Sequence, residues 1–192
     1  MNNNILPSFD ETTYEAHFLT QDNLPFIFHK DTIVRQGNSC TPNLHLNLEL
    51  LYFVAGSGSV ICDGRVFAVQ PGDVAVINSC EIHTVTTTDV VQYFCLIVDN
   101  DFCAANIADM SELQFVSLIK NDKAQMLFDQ VVQEFDSRDT FRNAGIQCAV
   151  QQLLLFLCRN YSEPKPADKK LDRARESVWT AVEFMKQNLS KK

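Results

Sequence analysis

Residues 43–64 read NLHLNLELLYFVAGSGSVICDG, and residues 65–83 continue RVFAVQPGDVAVINSCEIH. From Asn43 to Leu50, four leucines (Leu44, Leu46, Leu48, Leu50) alternate with Asn43, His45, Asn47 and Glu49. Strict alternation is the signature of a strand with one buried face, because successive side chains point to opposite sides of the pleat. The leucines then share one face and His45, Asn47 and Glu49 the other. A polar row opposite an apolar one suits the wall of a hollow barrel, and equally a half-solvated strand. Gly56-Ser57-Gly58 ends the run. Asp63-Gly64, between two β-prone runs, predicts a two-residue hairpin whose central positions both need positive φ. Pro71-Gly72-Asp73 predicts the next turn. Val74 to Ile77 predicts a further strand, and a loop then delivers His83.

Outward from this stretch, Phe26 to Phe28 predicts a first strand and Ile33-Val34 the start of another. Residues 1–25 form an N-terminal arm. Thr84 to Thr88 and Val91 to Val98 add two strands. Many short strands separated by turn residues indicate an antiparallel barrel or sandwich over residues 26–100. The period then lengthens. Leu113, Val116 and Ile119 fit a short helix, and Met126, Leu127, Val131 and Phe135 a second. A third starts near Asp139 or Thr140 and runs to about Asn160. Its run Leu153 to Cys158 is apolar nearly all round and so must be covered on more than one side. Dimerisation through Ile146, Val150, Leu153, Leu154 and Leu157 is the expectation, with burial inside the chain as the alternative. Residues 111–161 are thus a helical dimerisation region. Pro164 and Pro166 mark residues 162–170 as a linker. Leu171, Ala174, Val178, Ala181, Met185 and Leu189 predict an amphipathic helix over 171–192, whose apolar stripe has no following element to pack on.

Charge sharpens the division. Eight Lys and Arg face 20 Asp and Glu through residue 163, a balance of −12, whereas eight face four from residue 164 on, a balance of +4. The acidic body repels phosphate backbones, and the sign reverses at the linker. At 46% hydrophobic residues the chain is in the globular range, which excludes wholesale disorder. Its apolar runs are too short to cross a bilayer as helices, and a cytoplasmic location is the expectation. Seven cysteines, an odd number with no Cys-x-x-Cys, are read as reduced and mostly buried thiols. No nucleophile–base pair, phosphate-binding glycine loop or dinucleotide fingerprint is visible.

The combination His45-x-x-x-Glu49, Gly56, Asp63-Gly64, Pro71-Gly72-Asp73 and His83 resembles the cupin superfamily. The resemblance implies a single antiparallel β-barrel of the double-stranded β-helix type, mainly β with C-terminal helices. In cupins a first motif supplies two His and one Glu and a second motif one His. Aligned on Glu49 and Gly56, His45 takes the second His position, Asn43 stands where the first His usually does, and Asn78 stands where a proline is common. The whole layout, with its arm, barrel, helices, linker and basic helix, resembles the AraC/XylS-type bacterial transcription regulators. This implies a small organic effector in the barrel, a homodimer, and DNA contact through helix-turn-helix motifs beyond residue 192, with residues 171–192 their first helix. The expected ligand-binding residues are Asn43, His45, Asn47, Glu49, His83 and Tyr93, and a sugar would suit their donors and acceptors. No catalytic residue and no cofactor is expected. The alternative is a metal-dependent cupin enzyme, an oxygenase or isomerase, with a divalent metal on His45, Glu49 and His83. Arg35 is read as a surface salt-bridge partner, His17 and His29 as ordinary arm or surface histidines, and Tyr52 and Phe53 as core.

Overall fold

A computed structural model of the chain describes residues 13–15, 17, 24–34 and 41–166. Arg35, most of the arm and the helix expected over 171–192 lie outside the described residues. Among these, two five-stranded sheets face each other, as a cupin-type barrel requires. One runs β1 (Thr13–Tyr14), β3 (Asn43–Leu44), β8 (His83–Thr86), β5 (Gly58–Cys62), β6 (Arg65–Val69). The other runs β11 (Leu118–Ile119), β7 (Val74–Ile77), β4 (Leu48–Gly56), β9 (Val90–Val98), β2 (Phe26–Val34). Pairing is antiparallel except between β1 and β3.

Strand β4 is buried on both faces and separates two cores. Leu51 and Phe53 of β4 point inward, where they meet Val60, Cys62, Val69, Ala75, Ile77, Val85, Val91, Tyr93, Cys95 and Ile97 from both sheets. Leu48, Leu50 and Tyr52 point outward onto the helices. The Asp63-Gly64 turn forms as expected, with φ of 46° and 76° at its central residues and Cys62 paired with Arg65. Gly56, at φ +72°, lies so close to β9 that a Cβ would sit 2.0 Å from the Val90 carbonyl oxygen. A side chain there would meet backbone as well as an unfavourable φ.

The helical layer closes the outer face of the second sheet. A short helix, α1 (Asn100–Asn106), not foreseen in the sequence, begins where the Asp99 side chain accepts from the Phe102 amide at 2.9 Å. Helix α2 (Asp122–Asp136) is capped by Asn121, whose side chain accepts from the amides of Lys123 and Ala124. Helix α3 spans Arg142–Tyr161.

Five expectations need correcting. The strand expected to run on from Asn43 is broken at residues 45–47, so that Asn43–Leu44 lies in one sheet and Leu48–Gly56 in the other. Phe26–Val34 is one continuous strand, paired along its length with β9. Leu113, Val116 and Ile119 do not make a helix. Instead β10 (Leu113–Phe115) and β11 carry this segment, because Asn78 clamps Phe115 by two hydrogen bonds and β7 offers a free edge. The linker does not start at residue 162, since β12 (Ser162–Pro164) pairs with β10. In both places a tertiary partner outweighs local pattern. Finally, Ile146, Val150, Leu153, Leu154 and Leu157 are fully buried within the chain, packed in the core that joins α3 to α2 and the outer sheet face. They are core rather than interface. No described helix is long and apolar enough to cross a membrane.

Candidate functional site

The inner wall of the barrel is apolar except at one end. There Glu49, the first inward residue of β4, meets His45 from the bend before it and His83 from the start of β8. Their ligand atoms all lie within 4.8 Å of one another, and all three residues are buried. His45 Nε2 is 2.5 Å from Glu49 Oε2, and His83 Nε2 is 3.2 Å from the same oxygen. The other carboxylate oxygen, Oε1, accepts from the Cys95 thiol at 3.1 Å. Each ring is turned by its second nitrogen: His45 Nδ1 donates to the Asn47 carbonyl and His83 Nδ1 to the Glu81 carbonyl, both at 3.0 Å. A backbone acceptor at Nδ1 fixes the tautomer and directs the Nε2 lone pair inward when the ring is neutral.

Two lone pairs facing one carboxylate oxygen need a positive charge between them. A proton at Nε2 or a bound cation would supply it. Burial alone would push the Glu49 carboxyl up, but the hydrogen bonds and charges of His45 and His83 outweigh it and hold the group well below its usual range. Burial pulls the His83 imidazole down, yet the hydrogen bond and charge of Glu49 and the Glu81 carbonyl raise it overall. Burial and the Glu49 charge push the Cys95 thiol well up, so it is a donor and not a nucleophile. A divalent cation would satisfy the same three atoms. Two imidazole nitrogens and a carboxylate, each ring oriented from behind, form a donor set that fits one.

Of the expected ligand-binding residues, the structure brings five together. Asn43 pairs in register with His83, and its Nδ2 donates to Glu15 Oε2 at 2.5 Å. Asn47 orients His45 through its carbonyl. Tyr93 faces the same interior two residues before Cys95 on β9, in ring contact with Phe53. Tyr52 lies outside the barrel, where its hydroxyl donates to Asp129 at 2.8 Å. His29 is a surface residue paired with Asp31, as expected.

Three residues were missed. His17 is no ordinary arm histidine: its side chain is only 4% exposed and its ring packs on His45 with centroids 4.6 Å apart. Glu15 comes with it, its carboxyl held low by the His17 hydrogen bond against its partial burial. Backbone bonds from Thr13 to Pro42 and from Glu15 to Leu44, each 3.0 Å, lay the arm beside β3. No spacing rule joins His17 to His45 across 28 positions. Cys95 carries no sequence signal either, beyond its inward place on β9.

The chain matches the AraC-like ligand binding domain family over residues 34–154, more than half of its length. It is similar to L-ectoine synthase from Saccharophagus degradans, 28% identical over 80 residues, covering 41% of this chain and 60% of the synthase. ToxT from Vibrio cholerae superposes with a TM-score of 0.54 at 10% identity, over 83% of this chain and 65% of ToxT. A cupin 2 conserved barrel domain protein from Salinispora arenicola aligns at 22% identity over 45% of this chain and 72% of its own, with a TM-score of 0.38. The chain thus spans under two thirds of the length of the synthase and of ToxT. With the family matched across barrel and helices, and the barrel and its polar end in place, this chain belongs to the AraC-like ligand binding domains.

Proposed function

We propose that this domain is the effector-sensing part of a cytoplasmic bacterial transcription regulator, and that its effector is a small hydroxyl-rich molecule such as a sugar. One observation carries this reading. The polar cluster of Asn43, His45, Asn47, Glu49 and His83 sits at the end of an apolar interior, an arrangement that orients a ligand by hydrogen bonds while the walls exclude water. Effector bound there would be sensed by the arm, through Glu15 and His17, and by the helices, through β4. Both connections support an output toward residues 162–192 and a DNA-binding region. The regulator acts as a homodimer on this reading. With the apolar side of α3 consumed by the core, the face left for a second copy holds Phe141, Ala144, Cys148 and Leu155.

A thermal-shift screen of sugars and polyols tests the proposal. A ligand that binds only the folded state adds about 2.7 kcal/mol of stability at a hundred times its dissociation constant. The shift should vanish in Glu49→Gln and His83→Ala. A ligand whose shift survives both substitutions binds elsewhere, and the barrel-end site falls.

The second reading is a metal-dependent cupin enzyme. It is supported by the three convergent donor atoms and by similarity to a protein named as a synthase. His45, Glu49 and His83 would hold the ion, which supplies Lewis acidity when bound. Cys95 would keep Glu49 Oε1 occupied and Oε2 turned to the histidines. Metal analysis after chelator-free purification, repeated for His45→Ala, separates the two readings.

A further inference from the structure

The loop that delivers His83 is closed on itself and strained. The Glu81 amide donates to the Asn78 carbonyl at 3.1 Å, and the Asn78 amide donates back to Glu81 Oε2, also at 3.1 Å. Between them Cys80 stands at φ +63°, in the left-handed region that non-glycine residues rarely adopt, and its amide donates to the His45 carbonyl at 2.8 Å. Backbone in this region persists only where its surroundings over-determine it. Here the surroundings face two ways. Toward the barrel end, the Glu81 carbonyl accepts from His83 Nδ1 at 3.0 Å. Away from it, Oε1 of the buried Glu81 carboxylate accepts from Gln114 Nε2 and from Arg65, each at 3.3 Å. The buried Asn78 side chain exchanges two hydrogen bonds with the Phe115 backbone, at 2.7 and 3.1 Å. Gln114 and Phe115 belong to β10, where they pair with Glu163 and Ser162 of β12. The Lys165 amide then donates to the Glu112 carbonyl at 2.9 Å.

We infer that the loop 78–81 and the β10–β12 ribbon form one mechanical unit, in which Asn78 and Glu81 pass a displacement of the His83 ring to the chain at residues 162–165. The inference deepens the effector-sensing reading, on which it rests, by giving barrel-end occupancy an output that uses neither the arm nor α2. His83 is held at both ring nitrogens, by Glu49 Oε2 at 3.2 Å and by the Glu81 carbonyl. A molecule that enters between His83 and Glu49 turns the ring, and the ring carries the carbonyl it is bonded to. Glu81 is 4% exposed, so its carboxylate cannot exchange Gln114, Arg65 and Asn78 for water, and a buried carboxylate stripped of its donors is costly. The loop therefore moves with its partners rather than away from them. Arg65 strengthens the tie. Its Nη2 also reaches Ser117 Oγ at 3.4 Å, and the Ser117 carbonyl accepts from the Val76 amide at 3.0 Å, which fastens the segment after β10 to β7. The ribbon has three residues on each strand, and pairing so short is a low-stability element that a small shift opens or closes.

The test is hydrogen exchange of the full chain, reading peptides of β10 and β12 against peptides of β9, which report global opening. His83→Ala should speed exchange in β10 and β12 at least about tenfold more than in β9. Glu81→Gln keeps the backbone carbonyl that holds His83 but removes the charged acceptor, and it should speed exchange in the same two strands. In the Glu81→Gln background, His83→Ala should then add less than about twofold, the non-additivity expected within one hydrogen-bonded network. A merely structural role for Glu81 would leave the two effects additive. His83→Gln, which keeps a polar group of similar reach, repeats the measurement if the alanine variant does not fold. Additive effects, or a ribbon that responds to His83 substitution no more than β9 does, would overturn the inference. These arms need no effector, so they are decided separately from the sugar and polyol screen. A sugar whose thermal shift depends on Glu49 and His83, found together with additive exchange, leaves the sensor reading standing and removes this route. Coupled exchange with no binder among the sugars and polyols removes that effector class and leaves the unit standing.

Discussion

Replacing Glu49 by glutamine removes one negative charge and almost no volume, so its cost isolates the electrostatics of the cluster. In the metal-free protein Glu49 accepts from His45, His83 and Cys95. The two imidazole bonds are charge-assisted where the rings are protonated, at about 1.5–3 kcal/mol each. The variant offers one neutral acceptor oxygen and a donor nitrogen where the carboxylate offered two charged acceptors, so either the rings or the Cys95 thiol lose their acceptor and the charge is gone, and the loss should be about 3–5 kcal/mol, the range for breaking a buried ion pair. At about 2–4 °C per kcal/mol for a chain of this size, the midpoint should fall by roughly 6–20 °C.

The pH dependence follows from the two shifts. Glu49, held low in the fold, contributes stability that is present above its unfolded value of about 4.3 and lost as pH falls through its folded value. His83, raised in the fold, contributes stability that is full below its unfolded value of about 6.5 and lost as pH rises through its folded value. The cluster is therefore worth most between about pH 4.5 and 6.5. Above the folded value of His83 the variant's amide can donate to the neutral His83 ring, and the cost of Glu49→Gln should shrink to about 1 kcal/mol. Glu49→Leu leaves both Nε2 atoms without a partner and should remain costly at either pH. Urea unfolding in chelator at about pH 5.5 and pH 9, monitored by circular dichroism, measures all four differences. Equal costs for Glu49→Gln at the two pH values would refute the charged-cluster argument.

Asn78→Ala should cost about 2–3 kcal/mol by urea unfolding, because it strips the buried amide and carbonyl of Phe115 of their partners and frees β10 from the barrel. Gly56→Ala should cost more than the roughly 1 kcal/mol of an unfavourable φ alone, because its Cβ meets the Val90 carbonyl; unfolding midpoints with unchanged m-values would check this. Leu155→Arg should convert a dimer to a monomer on size-exclusion chromatography with little change in unfolding midpoint, since Leu155 is 38% exposed; an unchanged elution volume would remove α3 from the interface. In the wild type, mild oxidation should join two copies through Cys148, the exposed cysteine of α3, and Cys148→Ser should abolish the cross-link.

The barrel was legible in the sequence because its signals are local. Alternation from Asn43 to Leu50 reports β structure, although the segment is two strands and β4 is buried on both faces, and Asp63-Gly64 reports a turn that few other residue pairs form. The resemblance to the cupin motifs named His45, Glu49 and His83, but the alternation put His45 and Glu49 on one strand face, whereas the chain bends at residues 45–47 and the bend brings His45 onto Glu49. Helices α2 and α3 were legible from their period, though the partner of the α3 stripe was not. An all-round apolar helix demands cover without stating whose surface supplies it, and here α2 and the outer sheet face supply it. Tertiary structure alone decided the rest. Leu113 to Ile119 became strand because Asn78 and β7 offered partners that outweigh a weak helical pattern. His17 met His45 because β1 lies against β3, and Cys95 met Glu49 because β9 lies against β4. Periodicity within one segment determines which face is apolar; which distant side chain meets that face depends on how separate strands pair, and no spacing along the chain encodes that.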